Sequence, residues 1–145
     1  MAFANPPDEE IRALLERVHT IAVVGISPKM DRPSHSVASA MQRFGYRIIP
    51  VRPMANEILG QKAYPDLATV PENIDLVDVF RAPEQVDEVV DACIALKLPA
   101  VWLQEGVVNE TAAQRAQAAG LTVVMDRCVY REYVRLFGAV PRSVP

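Results

Sequence analysis

The stretch IAVVGISPKMDRPSHS, residues 21–36, decides the fold. Ile21, Ala22, Val23 and Val24 form a short apolar run of the kind that makes a strand covered on both faces. Gly25 ends the run, Ile26, Ser27, Pro28 and Lys29 make a turn, and a helix opens at Pro33 and Ser34. A parallel strand that passes through a glycine turn into a helix is a natural phosphate site. The helix N-terminus there offers free N–H groups and a partial positive charge. The dinucleotide fingerprint G-x-G-x-x-G needs three glycines, and only Gly25 is present. The turn therefore reads as a nucleotide pocket outside the ordinary NAD class.

Outward from this stretch, strand and helix patterns alternate. EEIRALLERVHT after Pro6, Pro7 and Asp8 reads as a leading helix, with Asp8 as its cap and Ile11, Leu14, Leu15 and Val18 on one face. Strands are expected at 20–25, 46–51, 74–80, 99–104 and 121–126. Helices are expected at about 33–44, 83–96, from Asn109 or Thr111 to Gly120, and 129–137. Pro50 argues that the second strand does not sit deep in the ladder. Residues 52–73 read as irregular, with one helical turn near Leu67. The expected fold is α/β: a Rossmann-like three-layer sandwich on a five-stranded parallel sheet, in order 3-2-1-4-5. Its cleft should lie at the carboxyl ends of the strands, between the first and fourth.

Composition bounds the function. At 145 residues the chain is one domain, with residues 1–7 and 138–145 expected as loose tails. Half of it is apolar, and no apolar run reaches the roughly 18 residues that span a bilayer. A net charge of −3 disfavours a general nucleic-acid binder. The first residues, MAFANPPDEE, show no basic start or apolar run, and Cys93 and Cys128 form no CxxC pair or metal-ligand spacing. A reduced, cytoplasmic protein without a metal is expected.

The residues just past each strand should carry the function. They include Ser27, Lys29, Arg52, Arg81 and Arg127, against the acids Glu105 and Asp126. A basic rim on an acidic chain suits anionic ligand groups. Ser27 reads either as a phosphate donor or as a turn residue. Arg52, where NAD proteins carry an acid, favours a phosphorylated ribose, as in NADP or coenzyme A. His35 is either a base or phosphate donor, or structural; His19 has no assigned role, and Trp102 reads as core. Cys128, beside Arg127 at a helix start, is a nucleophile, a ligand contact or a small buried hydrophobe. No P-loop, metal motif, nucleophile elbow or paired-carboxylate spacing is present.

Taken together, VVGISPKMDRPSH, YRIIPVRPMANEILGQKAYPDL, VDVFRAPEQV, AVWLQEGVVNE and VVMDRCVYREYVRL resemble the small stand-alone CoA-binding proteins of the YccU-like group. They are similar to the CoA-binding domain of the succinyl-CoA synthetase alpha subunit. The resemblance implies a Rossmann-like domain with coenzyme A or an acyl-CoA at the strand ends. By that analogy Gly25, Ile26, Ser27, Pro28 and Lys29 hold phosphates. Arg52 and Pro53, then Phe80, Arg81 and Pro83, then Gln104, Glu105 and Gly106 follow the next three strands, and Cys128 lies beside the ligand. Where the family often has Asn and Lys this chain has Arg52 and Met54, and Tyr130 replaces a frequent Lys. The synthetase's phosphorylated histidine belongs to a separate domain. The expectation is an accessory or regulatory CoA binder without catalytic machinery. The alternative is an NADP-linked oxidoreductase or a nucleotide-binding subunit of one. A protein partner or a homo-oligomer stays open.

Overall fold

The computed structural model describes residues 3–142. Five parallel strands form its sheet: β1 (Thr20–Val24), β2 (Arg47–Val51), β5 (Leu76–Val79), β6 (Ala100–Leu103) and β7 (Thr122–Val124). Their spatial order is β2-β1-β5-β6-β7. Helices α1 (Asp8–Arg17), α2 (Pro33–Arg43) and α5 (Val129–Phe137) pack on one face. Helices α3 (Val86–Ala95) and α4 (Glu110–Ala118) pack on the other. This is the expected Rossmann-like three-layer sandwich. Strand residues alternate between the two cores: Ile21, Val23, Leu76 and Trp102 face α1, α2 and α5, while Ala22, Val77, Val79 and Val101 face α3 and α4.

The expected order 3-2-1-4-5 needs correction. The third main strand, β5, pairs with β1 through Ile21–Leu76 to Val24–Val79, on the side away from β2. The main-sheet order is thus 2-1-3-4-5, and the direction of winding reverses between β1 and β5 rather than between the first and fourth strands. Pro50 carried the signal. A residue without an N–H suits an edge strand, and β2 is the edge.

The linker after β2 is more ordered than its composition suggests. It contains a two-stranded hairpin, β3 (Glu57–Ile58) with β4 (Gln61–Lys62), and a 3-10 turn at Leu67–Thr69 capped by Asp66. Leu59 and Gly60 both have positive φ, 55° and 71°, as a tight hairpin turn of the primed type needs. Leucine is an unusual residue there, which hid the turn. The segment also shields the β2 edge, since Tyr64 N–H donates to Pro50 O at 3.0 Å and Tyr64 O accepts from Arg52 N–H at 2.8 Å. At the opposite edge, the Asn5 amide pairs with both backbone groups of Met125, at 2.8 and 2.9 Å.

Two local expectations differ. Asp8 does not cap α1. Pro7 occupies the cap position and makes no side-chain bond, while Asp8 pairs with Arg135 of α5 at 2.8 Å. Pro83 opens a 3-10 turn (Pro83–Gln85) before α3 begins. Of the segments expected as tails, Asn5 is held at β7, and Arg142 donates to the carbonyls of Glu16 and Val18 at the end of α1. Residues 1, 2 and 143–145 lie outside the described residues.

Candidate functional site

Gly25 floors the cleft. It follows β1 at the point of reversal and has φ +87°. A Cβ placed there would stand 2.3 Å from the Phe80 carbonyl oxygen and 2.9 Å from Arg81 Cδ. Only glycine allows the ends of β1 and β5 to approach this closely. Above this floor is a cavity of about 480 Å³, lined from β1 and α2 by Gly25, Ser27, Lys29, Arg32 and Ser34. Arg52, Phe80, Arg81, Gln104, Glu105 and Val107 complete it from the later strands. A second recess of about 380 Å³ continues over Arg52, Pro53, Phe80 and Arg81 toward Gln85.

The walls are tied to the sheet by side chains that bond to backbone. Arg52 donates to Ile26 O at 3.2 Å and so joins the end of β2 to the β1 turn. Ser27 N–H donates to Ser34 Oγ at 2.9 Å, and Ser27 Oγ accepts from Lys29 N–H at 3.1 Å. Both serines thus shape the turn. Helix α2 follows its N-cap Arg32 without a side-chain cap; Arg32 N–H donates to Lys29 O at 3.1 Å and His35 N–H to Arg32 O at 3.0 Å, while Arg32, Pro33 and Ser34 line the cavity. Across the cleft, Gln104 Oε1 accepts from Val129 N–H at 3.1 Å, Asp126 Oδ1 accepts from Gly106 N–H at 2.7 Å, and Glu105 pairs with Arg131 at 3.0 Å.

Charge distinguishes this cavity from others of similar size. A groove of about 510 Å³ at the opposite end of the sheet carries Glu72 and Asp75 beside Lys97. At the strand ends, Lys29, Arg32, Arg52 and Arg81 share one opening, and among the described residues none of them is ion-paired. Arg47, Arg115 and Arg135, by contrast, are each clamped by carboxylates within 3.1 Å. Such a cluster of free cations repels itself unless an anion joins it.

The structure rearranges the expected rim. Arg127 turns away, paired at 2.8 Å with Glu132, whose carboxyl lies below its ordinary range because Arg135 and Arg127 both bond to it. Arg32, not singled out in the sequence, takes a place at the opening, because the turn of α2 brings its N-cap round to face Arg52 and Arg81. The side chain of Ile26 is buried in the core, leaving only its backbone for contacts. Pro28, Pro83, Gly106 and Cys128 line neither recess. Cys128 is half-buried at the N-cap of α5, while burial pushes the Cys93 thiol up to about 12. Trp102 is fully buried, as expected of a core residue.

Residues 19–134 match the family model of the CoA binding domain. The chain belongs to the CoA binding domain family. The match spans the sheet and every wall of the cleft. A Bacillus subtilis relative, "Uncharacterized protein YneT", is 46% identical over 125 residues, covering 86% of this chain and 93% of that one. Acetate–CoA ligase [ADP-forming] I of Archaeoglobus fulgidus is 30% identical over 73 residues, half of this chain and 11% of that much longer protein. Among solved structures, a hypothetical protein from Pyrococcus horikoshii superposes with a TM-score of 0.88 at 38% identity, over 95% of this chain and all of that one. A Thermus thermophilus structure superposes with a TM-score of 0.87 at 36% identity, over 91% and 100% of the two chains.

Proposed function

We propose that this protein binds coenzyme A or an acyl-CoA at the carboxyl ends of its strands and acts in the cytoplasm as an accessory or regulatory binder. The observation that carries the reading is the set of four cations around Gly25, without ion pairs among the described residues, in a family defined by CoA binding. The ligand phosphates lie over the turn from Gly25 to Lys29 and the start of α2, where the Lys29 and Arg32 side chains and the positive end of the helix converge. Arg52 and Arg81 receive the remaining phosphate charge, and Arg52 does so while still braced on Ile26 O. Pro53 and Phe80 offer apolar surface to the adenine end. Gln104, Glu105 and Gly106 border the far end, with Cys128 behind them.

One observation favours a second reading, an NADP-linked oxidoreductase or a subunit of one. Arg52 stands at the end of the second strand, where a ribose phosphate would sit. The single glycine of the first turn counts against it.

Isothermal titration with CoA, acetyl-CoA and NADP separates the readings. Saturable CoA binding at micromolar to low-millimolar ligand is the expected result. Binding of NADP without CoA would transfer the assignment to the second reading, and silence for all three ligands would reject both.

A further inference from the structure

Among the described residues, one buried side-chain atom has no hydrogen-bond partner, Oδ1 of Asp78. Asp78 lies in the middle of β5 and is only 1% exposed. It pairs in register with Val23 of β1 and Trp102 of β6. Two residues further along the same three strands come Gly25, Phe80 and Gln104, all of which line the cavity. Strand geometry puts that row about 7 Å above Asp78, and strand alternation puts the Asp78 and Phe80 side chains on the same face. A carboxyl thus stands one layer beneath the floor of the cation-lined cleft.

Among the described residues no side chain bonds or ion-pairs with that oxygen, and the cations Lys29, Arg32, Arg52 and Arg81 stand in the cleft one layer away. β1 contributes no titratable side chain, and β6 contributes Trp102, whose Nε1 donates to Arg127 O at 2.8 Å. From α2, His35 is half-buried; from α5, Tyr133 donates to Val140 O and Glu132 is held by Arg127 and Arg135. From α1, the charged Arg12 and Glu16 are exposed. Burial alone raises the Asp78 carboxyl well above its ordinary range. A buried acid without a partner destabilises a sheet that an apolar residue would strengthen, so its presence needs a functional reason.

We propose that Asp78 couples protonation to anion binding: neutral Asp78 permits an anion in the cleft, and ionised Asp78 expels it. The inference rests on the reading of the cleft as an anion site. A negative charge about 7–10 Å below the ligand opposes each interacting ligand charge by roughly 20- to 50-fold in affinity, with an effective dielectric near 20. Linkage makes the effect reciprocal, so a bound anion raises the proton affinity of Asp78 by the same factor. The proton comes from solvent, and no bond other than O–H forms.

The test uses the full chain, CoA as the probe, and pH 5 to 9.5. Carboxyl-carbon NMR follows Asp78 in the unsubstituted protein with and without CoA. Calorimetry in two buffers of different ionisation enthalpy counts protons taken up on binding, for this protein and for Asp78→Asn. The expected result has three parts. The Asp78 midpoint rises by about 1.2–1.7 pH units with CoA. Affinity falls by roughly 20- to 50-fold as Asp78 ionises. Asp78→Asn lacks both that fall and its share of proton uptake, while keeping the part that belongs to the CoA phosphate.

CoA binding with an unmoved midpoint overturns the coupling and leaves the proposed function standing. An Asp78 that never ionises up to pH 9.5 also overturns it. Absence of CoA binding at every pH overturns the proposed function, and the coupling with it. The NMR arm needs no variant, so a poorly folded Asp78→Asn would not spare the proposal.

Discussion

Replacing Gly25 with alanine should damage both the fold and the cleft, and the size of the effect follows from two contributions. The first is conformational: at φ +87° an alanine is strained by about 1–2 kcal/mol. The second is steric. The new Cβ would meet the Phe80 carbonyl at 2.3 Å, and a backbone oxygen fixed in the β1–β5 seam has nowhere to go without lengthening ladder bonds. Overpacking of that kind costs about another 1–3 kcal/mol. Gly106 provides the control. It has φ +85°, but a Cβ added there would meet nothing within 4 Å, so Gly106→Ala incurs only the first contribution. The expected losses are about 2–5 kcal/mol for Gly25→Ala and about 1–2 for Gly106→Ala. Urea unfolding reads both, with the Gly25→Ala midpoint lower by roughly 1–2 M at typical slopes. Equal losses in the two variants would refute the argument, because the close approach at Gly25 would then contribute nothing.

Asp78→Asn should stabilise the protein at neutral pH. A raised native pKa means that the folded state holds a proton the unfolded chain has lost, so stability declines by about 1.4 kcal/mol per pH unit above the ordinary aspartate value until the native carboxyl ionises. Paired melting curves at pH 4 and pH 7 should show that component in the unsubstituted protein and not in the variant. Glu132 has the opposite sign: its lowered native pKa gives stability above the ordinary glutamate value that is lost as pH falls through the native one. Glu132→Gln should cost about 1–2 kcal/mol at pH 7, discounted because Arg127 and Arg135 keep solvent contact, and should flatten the acid limb of the stability profile. Lys29→Ala should weaken CoA binding by about three- to tenfold and reduce its salt dependence without changing the melting temperature, because its ammonium has no ion pair among the described residues to lose. Ser27→Ala should also weaken binding, through the turn bond to Lys29 N–H that it removes; unchanged affinity in both variants would place the phosphates elsewhere.

The sequence by itself determined the alternation of strands and helices, and with it the fold class. Periodicity, Gly25 at the first turn, Asn109 as a cap (it accepts from Ala112 N–H at 3.1 Å) and Gly120 after α4 are local signals, each complete within a few residues. It also placed Gly25, Ser27, Lys29, Arg52, Phe80, Arg81, Gln104 and Glu105 at one end of the sheet, where they share a cavity. Tertiary structure alone decided which side of β1 receives β5. The apolar run of β1 can pair on either edge, and the connection between β2 and β5, which holds no α-helix, is long enough to reach both. It also decided that Arg127 turns to Glu132, because an arginine follows the nearest carboxylate in space and not in sequence, and that Arg32 lines the cleft. The isolation of Asp78 is likewise a tertiary fact. Within VDVF it is an ordinary aspartate in a strand, and only the helices packed over that face remove its water and leave its oxygen without a partner.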